Sequence, residues 1–326
     1  MNSFNLNKIL IIRLSSLGDI LLTTPFVRSL KQQNPGIIID FLLKEQYSAV
    51  LDNNPYISNI YHYKTGTELI EKLSSNSYTL IIDLQNNKRS GVITSALNVP
   101  VRKFEKRSID KFLLVNFRIN RLKNAPPVPE RYSETLPGFK LDNKGSELFL
   151  KETENLSQAE TALNIGMAPG SRHLTKMWPK EHYIELAKML IDKGYKIILL
   201  GGKSDRIICH EIAEASGAVD LSNDDMLAET AKNIKKCSLI ICNDSGLMHT
   251  ATAVNIPVCV FFGSTVEEFG FTPYKSKNLI LENNLLSCRP CSHIGRESCP
   301  LGHFRCMLEI TPQVALERIL TQLNPR

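Results

Sequence analysis

The stretch Cys242-Asn243-Asp244-Ser245-Gly246-Leu247-Met248-His249 follows the apolar run Leu239-Ile240-Ile241 and leads into Thr250-Ala251-Thr252-Ala253-Val254, a small-residue segment that reads as a helix. A carboxylate, a hydroxyl, a glycine and a histidine therefore gather where a buried strand turns into a helix. In open α/β sheets this edge binds ligands, because strand ends leave a crevice and helix N-termini point N–H groups into it. A plainer reading of the same residues also stands: Asp244 or Ser245 caps the helix and Gly246 relieves the turn.

The chain around this loop has 326 residues, enough for two domains of about 150 residues each. Apolar residues make up 43% and charged ones 22%, the balance of a soluble globular protein. Met1 to Lys8 is polar and the apolar run after it, Ile9 to Ile12, is short, so no secretory signal is expected. No apolar stretch approaches the roughly 20 residues of a membrane span, and a cytoplasmic protein is expected.

The net charge of +6 is unevenly spread. Arg102, Lys103, Lys106, Arg107, Lys111, Arg118, Arg121 and Lys123 are opposed only by Glu105 and Asp110, and are interleaved with Phe104, Phe112, Leu113, Leu114, Val115 and Phe117. Such a segment can lie on an anionic membrane surface, hold an anionic ligand, or simply be a solvated helix face. Nucleic acid is not expected as a partner, since no recognised binding motif accompanies the charge.

Strand and helix patterns alternate through the first half. Lys8 to Arg13, Ile37 to Leu43 and Thr79 to Asp83 read as strands, Asp19 to Gln33 and Leu69 to Leu73 as helix. Pro25 must kink or divide the first helix. Four prolines make Ala125 to Gly138 an unlikely site for regular structure, and it reads as part of a passage between halves. A second alternation follows, with strands at Leu163 to Met167, Lys196 to Leu200, Leu239 to Cys242 and Val258 to Phe262, and helices at Glu181 to Lys193, Arg206 to Ala215 and Met226 to Lys235. The expected class is α/β: two Rossmann-like, doubly wound domains, 1–150 and 151–326, facing across a cleft. Neither half carries Gly-x-Gly-x-x-Gly or a P-loop, so phosphate chemistry must come from other loops.

Three further loops can supply it. Arg13-Leu14-Ser15-Ser16-Leu17-Gly18-Asp19 follows the first strand, and Asp19 is either a helix cap or a carboxylate able to take a proton from an attacking hydroxyl. Ala168-Pro169-Gly170-Ser171-Arg172-His173-Leu174-Thr175-Lys176-Met177-Trp178-Pro179 packs cations with Gly and Ser at a strand end, where Arg172 and Lys176, with or without His173, can grip a diphosphate. Trp178 either walls that pocket or packs in the core. Gly201-Gly202-Lys203-Ser204-Asp205 offers a carboxylate for ribose hydroxyls or, equally, a cap.

The eight cysteines fall into two groups. Cys209, Cys237, Cys242 and Cys259 sit singly in apolar context and read as buried small side chains. Cys288-x2-Cys291 with Cys299 and Cys306 has the ligand count of a structural zinc site, although the second pair is widely spaced; reduced thiols or a redox pair are the alternatives.

Taken in order along nearly the whole chain, Arg13 to Asp19, Pro169-Gly170-Ser171-Arg172, Lys176-Met177-Trp178-Pro179, Asn243 to His249 and Phe262-Gly263-Ser264-Thr265 resemble the ADP-heptose:lipopolysaccharide heptosyltransferases, which have the GT-B architecture of two Rossmann-like domains. The resemblance implies an inverting transfer of heptose from ADP-heptose to the lipid-linked inner core of lipopolysaccharide, with no cofactor required for catalysis. It implies that 1–150 binds the acceptor and 151–326 the nucleotide sugar, at the cytoplasmic face of the inner membrane with peripheral contact to it. Asp19 matches the catalytic base and Lys176 the phosphate-binding lysine. Asp244, Ser245, Gly246 and His249 match the donor-holding loop, with Ser171 and Arg172 beside it and Asp205 near the ribose. Another nucleotide sugar or acceptor on the same scaffold, or a non-catalytic nucleotide-sugar-binding protein, remain alternatives.

Overall fold

The computed structural model describes residues 6–151 and 163–323. The chain forms two compact units, Met1–Arg107 with Pro126–Phe149, and Ser108–Ala125 with Leu150–Arg326.

The first unit is built on a parallel sheet of β1 (Lys8–Ile12), β2 (Ile38–Leu43), β3 (Asn59–His62), β4 (Leu80–Asp83) and β5 (Val101–Lys103), in the order β3-β2-β1-β4-β5. Ile9, Leu10, Ile11 and Ile12 are fully buried, as an apolar run must be in a sheet covered on both faces. The helical segment after β1 is divided into Leu17–Leu21 and Thr24–Gln33, with Pro25 in the first turn of the second helix, where its missing N–H costs nothing. Arg28 then ties that helix to the returning chain: its Nε is 2.6 Å from Asp142 Oδ2 and its Nη1 is 2.9 Å from Glu147 Oε2.

The second unit carries β6 (Asn164–Ala168), β7 (Lys196–Leu199), β8 (Val219–Asp220), β9 (Leu239–Asn243), β10 (Val258–Phe262) and β11 (Asn278–Glu282), all parallel, in the order β11-β10-β9-β6-β7-β8. Its core holds Trp178, stacked on Phe261 with ring centroids 4.1 Å apart and planes 12° apart. Trp178 Nε1 donates to the Ile310 carbonyl at 2.8 Å, so the indole packs in the core and lines no open pocket. The terminal helix Pro312–Leu323 joins the same core through Ala315, Leu316 and Ile319.

In both sheets the strand order reverses beside the first strand of the unit, between β1 and β4 and between β6 and β9. Loops at such a reversal diverge to opposite faces and leave a crevice at the carboxyl ends of the strands.

Two expectations need correction. The proline-rich stretch contains a helix, Val128–Ser133, because Pro127 and Pro129 occupy the cap and first turn, where no N–H is needed. The basic segment does not belong to one half. Residues up to Arg107 lie in the first unit, whereas 108–125 pack on the second through Leu114, Leu122 and Phe269. Arg118 fixes that segment by donating to the carbonyls of Ser287, Cys288 and Pro290 at 2.9–3.0 Å.

Candidate active site

The loop after β1 is held in place by its neighbour across the strand-order reversal. Gln85 Oε1 accepts from the Leu14 and Ser15 N–H groups at 2.9 and 3.2 Å, and Asp83 in turn accepts from the Gln85 and Asn86 N–H groups. Asp19 stands in the first turn of Leu17–Leu21. Its Oδ2 accepts from Ser16 N at 3.1 Å and Ser16 Oγ at 2.7 Å, so the capping role is met. The other oxygen does something a cap does not require: Oδ1 is 2.6 Å from Arg13 Nη2. Arg13 also donates to the carbonyls of Ser15 and Leu84 and lies over the Tyr132 ring. Burial works to raise the Asp19 pKa, but the Arg13 charge and the Ser16 donors outweigh it and hold the carboxyl below its usual range. Asp19 is therefore ionised, fixed in orientation and still 18% exposed, with lone pairs left for one more donor. Lys106, half-buried, has its ammonium pushed down by burial and by the Arg13 charge, against the pull of Asp83 and Asp19.

In the second unit the loops after β6, β9 and β10 converge. Lys176 Nζ is 2.6 Å from Asp244 Oδ2, and Thr265 Oγ1 donates to the same oxygen at 2.7 Å. Thr175 Oγ1 donates to Ser264 Oγ at 3.0 Å and accepts from Arg296 N at 2.8 Å, stitching the β6 and β10 loops together. Asn243 Nδ2 donates to the Pro169 carbonyl at 2.7 Å while its Oδ1 accepts from Trp178 N at 2.9 Å, which fixes the β6 loop against β9. Asp244 is thus engaged by Lys176 and Thr265.

The helix that follows, Gly246–Ala253, has Ser245 at its N-cap, yet the Ser245 side chain makes no capping hydrogen bond. Its hydroxyl oxygen is buried and has no hydrogen-bond partner among the described residues. The first N–H groups of the helix are therefore left uncapped by that side chain, beside a lysine, as an anion site requires. His249 is buried on the same helix.

Asp205 sits one strand away. Its Oδ2 accepts from Gly202 N at 3.1 Å, closing the turn Lys203–Asp205, and its carboxylate leans on Gly170 so closely that a Cβ there would lie 2.2 Å from Oδ1. Gly170 is obligatory for that approach. Ser171 is half-buried, and Arg172 is exposed with no ion-pair partner among the described residues. The structure brings Lys176, Asp244, Ser245 and Gly246 to one place, with Thr265, Thr175 and Ser264, to which the sequence reading gave no role. Thr265 and Ser264 were visible as hydroxyls directly after a strand; Arg289 carried no signal. Arg289 is buried and donates to the carbonyls of Phe262, Gly263 and Thr265 and to Glu282 Oε2, so it shapes the β10 loop from beneath.

The tail cysteines do not fit the structural zinc suggested by their ligand count. Among the described residues no three His, Cys, Asp or Glu side chains come together as a metal site. Cys288 Sγ lies 4.0 Å from His303 Nε2, while Cys306 is buried against the core with its thiol pushed up to about 11 by burial. Cys209, Cys237, Cys242 and Cys259 are buried, with thiols likewise raised by burial.

Comparison with known proteins agrees with this geometry. The model of glycosyltransferase family 9 (heptosyltransferase) matches residues 67–301. The chain is 28% identical to lipooligosaccharide heptosyltransferase 2 of Haemophilus influenzae, over 95% of this chain and 98% of that one. The solved structure of Escherichia coli ADP-heptose lipopolysaccharide heptosyltransferase II superposes with a TM-score of 0.73 at 26% identity, covering 97% of this chain and 98% of that one. A glycosyl transferase family 9 structure from Veillonella parvula gives a TM-score of 0.79 at 21% identity, covering 97% of each chain, and shares the fold. With both sheets in nucleotide-binding strand order and the matched region spanning most of its length, the chain belongs to glycosyltransferase family 9, the heptosyltransferases.

Proposed function

We propose that this enzyme moves a heptose from ADP-heptose to the lipid-linked inner core of lipopolysaccharide, inverting the anomeric centre in a single displacement. The observation that carries the reading is the Lys176–Asp244–Thr265 cluster beside the uncapped N-terminus of Gly246–Ala253. An ADP leaving group develops negative charge on its β-phosphate, and a fixed ammonium and the N-terminal N–H groups of this helix, which the Ser245 side chain does not cap, would receive it. Ser245, Gly246 and His249 complete the donor loop, and Ser171 and Arg172 extend it toward the diphosphate. Asp205 holds the turn beside the adenosine.

Asp19 takes the proton of the attacking acceptor hydroxyl. The hydroxyl oxygen bonds to the anomeric carbon, the bond from that carbon to the phosphate oxygen breaks, and ADP leaves with the electron pair. Attack and departure on opposite faces give inversion. Arg13 keeps Asp19 ionised for this step, and Arg13 with Lys106 offers positive charge to an acceptor rich in phosphate and carboxylate groups. Lys176 and the helix supply the charge that a divalent cation supplies elsewhere, so turnover is expected to survive chelators. No helix among the described residues is long and apolar enough to cross a membrane. Since the acceptor is lipid-linked, the reading places the enzyme in peripheral contact with the cytoplasmic face of the inner membrane.

Turnover with ADP-heptose and a series of heptose-deficient lipopolysaccharide cores, followed by ADP release and product mass, tests the proposal. Transfer to one truncated core identifies the step. Binding of ADP-heptose without transfer to any core points to a different acceptor, and no binding at all overturns the donor assignment.

A further inference from the structure

The helix Ser108–Phe117 is apolar on two sides. One side is accounted for: Leu114 is buried and Val115 half-buried against Phe269, Val266 and Phe271. The other carries Ile109 at 73% exposure, Phe112 at 57% and Phe117 at 61%, followed by Ile119 at 48%. At 100° per residue, Ile109, Phe112, Leu113 and Phe117 span an arc of about 140° that is centred opposite the midpoint between Leu114 and Val115, with Phe117 at the edge of the arc nearer Leu114. Phe112 and Phe117 are the only phenylalanines among the described residues that are exposed, and their rings pack edge to face at 5.8 Å. Exposed apolar residues scattered singly need no explanation, whereas two aromatics in edge-to-face contact, flanked by two isoleucines, form a patch.

The charge around the patch is positive. Residues 108–125 hold Lys111, Arg118, Arg121 and Lys123 against Asp110 alone. Arg118 is committed to backbone carbonyls, and Lys111 lies over the Phe271 ring. Arg121 and Lys123, two and four residues after Ile119, are exposed. Aromatic and aliphatic side chains on one helix face, bordered by cations, are the composition of an element that seats itself at the interface of an anionic bilayer.

We propose that the face formed by Ile109, Phe112, Phe117 and Ile119 docks on the anionic surface of a lipid bilayer, with Arg121 and Lys123 against the headgroups. The proposal rests on the lipid-linked acceptor reading above, and it assigns the membrane contact to the unit that carries Lys176 and Asp244. The rings would enter the headgroup boundary, a depth of roughly 5–10 Å for an interfacial helix.

The test is sedimentation of the full-length enzyme with phosphatidylcholine vesicles, with and without roughly one-third phosphatidylglycerol. The comparison is with an Ile109→Ser, Phe112→Ser, Phe117→Ser variant and an Ile207→Ser control, the latter altering another exposed isoleucine. Expected are binding that strengthens at least about tenfold with phosphatidylglycerol and weakens by a similar factor in the triple variant, with melting temperature unchanged. ADP release with a detergent-dispersed core should be unaffected, while release with the core held in vesicles should fall. Equal binding by the triple variant, or no vesicle binding by the parent, overturns the proposal. A parent that self-associates without lipid, and a triple variant that does not, would instead show that a second copy covers this face. Failure of ADP release for the parent in detergent counts against the transferase reading, and vesicle binding still decides the face independently.

Discussion

Lys176 and Asp244 meet at 2.6 Å, an ammonium from the loop after β6 against a carboxylate from the loop after β9, with side chains only 15% and 7% exposed. The two strands are neighbours at the reversal of the sheet, so the pair forms where a doubly wound fold leaves its crevice. A pair this sheltered is costly to break from one side, since the survivor keeps its charge without a partner. Lys176→Met is therefore expected to lower kcat by about 10²- to 10³-fold through the lost leaving-group charge, and to destabilise the second unit by about 3 kcal/mol. Asp244→Asn should restore part of the stability in the double variant without restoring turnover. Equal loss of stability in Lys176→Met and in the double variant would show that the pair is not coupled.

Asp19 separates a catalyst from a binding protein. Asp19→Asn keeps the size of the side chain and can still accept from Ser16, but it cannot take up a proton. Turnover should fall about 10²- to 10⁴-fold, while the dissociation constant for ADP-heptose measured by calorimetry stays within twofold of about its parent value. A variant with full turnover would remove Asp19 from the mechanism and leave it the helix-capping role that its Ser16 contacts already fill.

The Arg13 pairing sets a pH dependence whose sign can be worked out. The Asp19 pKa is depressed in the folded chain, so the pair contributes stability above the unfolded carboxyl value, and that contribution is lost as pH falls through the folded value. Arg13→Gln removes the largest influence opposing burial and leaves only the Ser16 donors against it, so the pKa rises. The acid limb of the kcat/KM profile should then move to higher pH. An unmoved acid limb would mean that another group controls it.

Much of this site was legible because the chemistry sits at strand ends, and strand ends are marked by apolar runs that stop. Leu239 to Cys242 located Asp244, and the run before Arg13 located Asp19, each within a residue of the observed strand. Pro25 marked a break that is present, because a ring that cannot donate must sit in a first turn. The same rule misled at residues 125–138, where four prolines hid the helix Val128–Ser133, since two of them stand at its start. The short strands β3, β5, β8 and β11 gave no clear signal, being two to five residues long with charged or half-exposed positions. The fate of 108–125 was also hidden. Membership of a unit is decided by contacts such as Arg118 to Ser287, Cys288 and Pro290, which lie about 170 residues apart in sequence, and no local pattern encodes them.

Arg289 offers the last test, of a residue that reaches the donor site only through others. Its guanidinium spreads over six acceptors: the carbonyls of Phe262, Gly263, Thr265 and Asn283, Asn284 Oδ1 and Glu282 Oε2. Three of these carbonyls belong to the end of β10 and the loop whose Thr265 hydroxyl donates to Asp244. Arg289→Lys keeps the charge but has three donors and no planar fork, so at least three acceptors lose their partner. The loop should loosen, with a stability loss of about 2–4 kcal/mol and a rise in the ADP-heptose KM that exceeds any change in the acceptor KM. Thr265→Val should reproduce the KM change with a smaller stability loss, because it deletes only the last link to Asp244. A variant Arg289→Lys that melts early but binds ADP-heptose normally would confine Arg289 to supporting the fold.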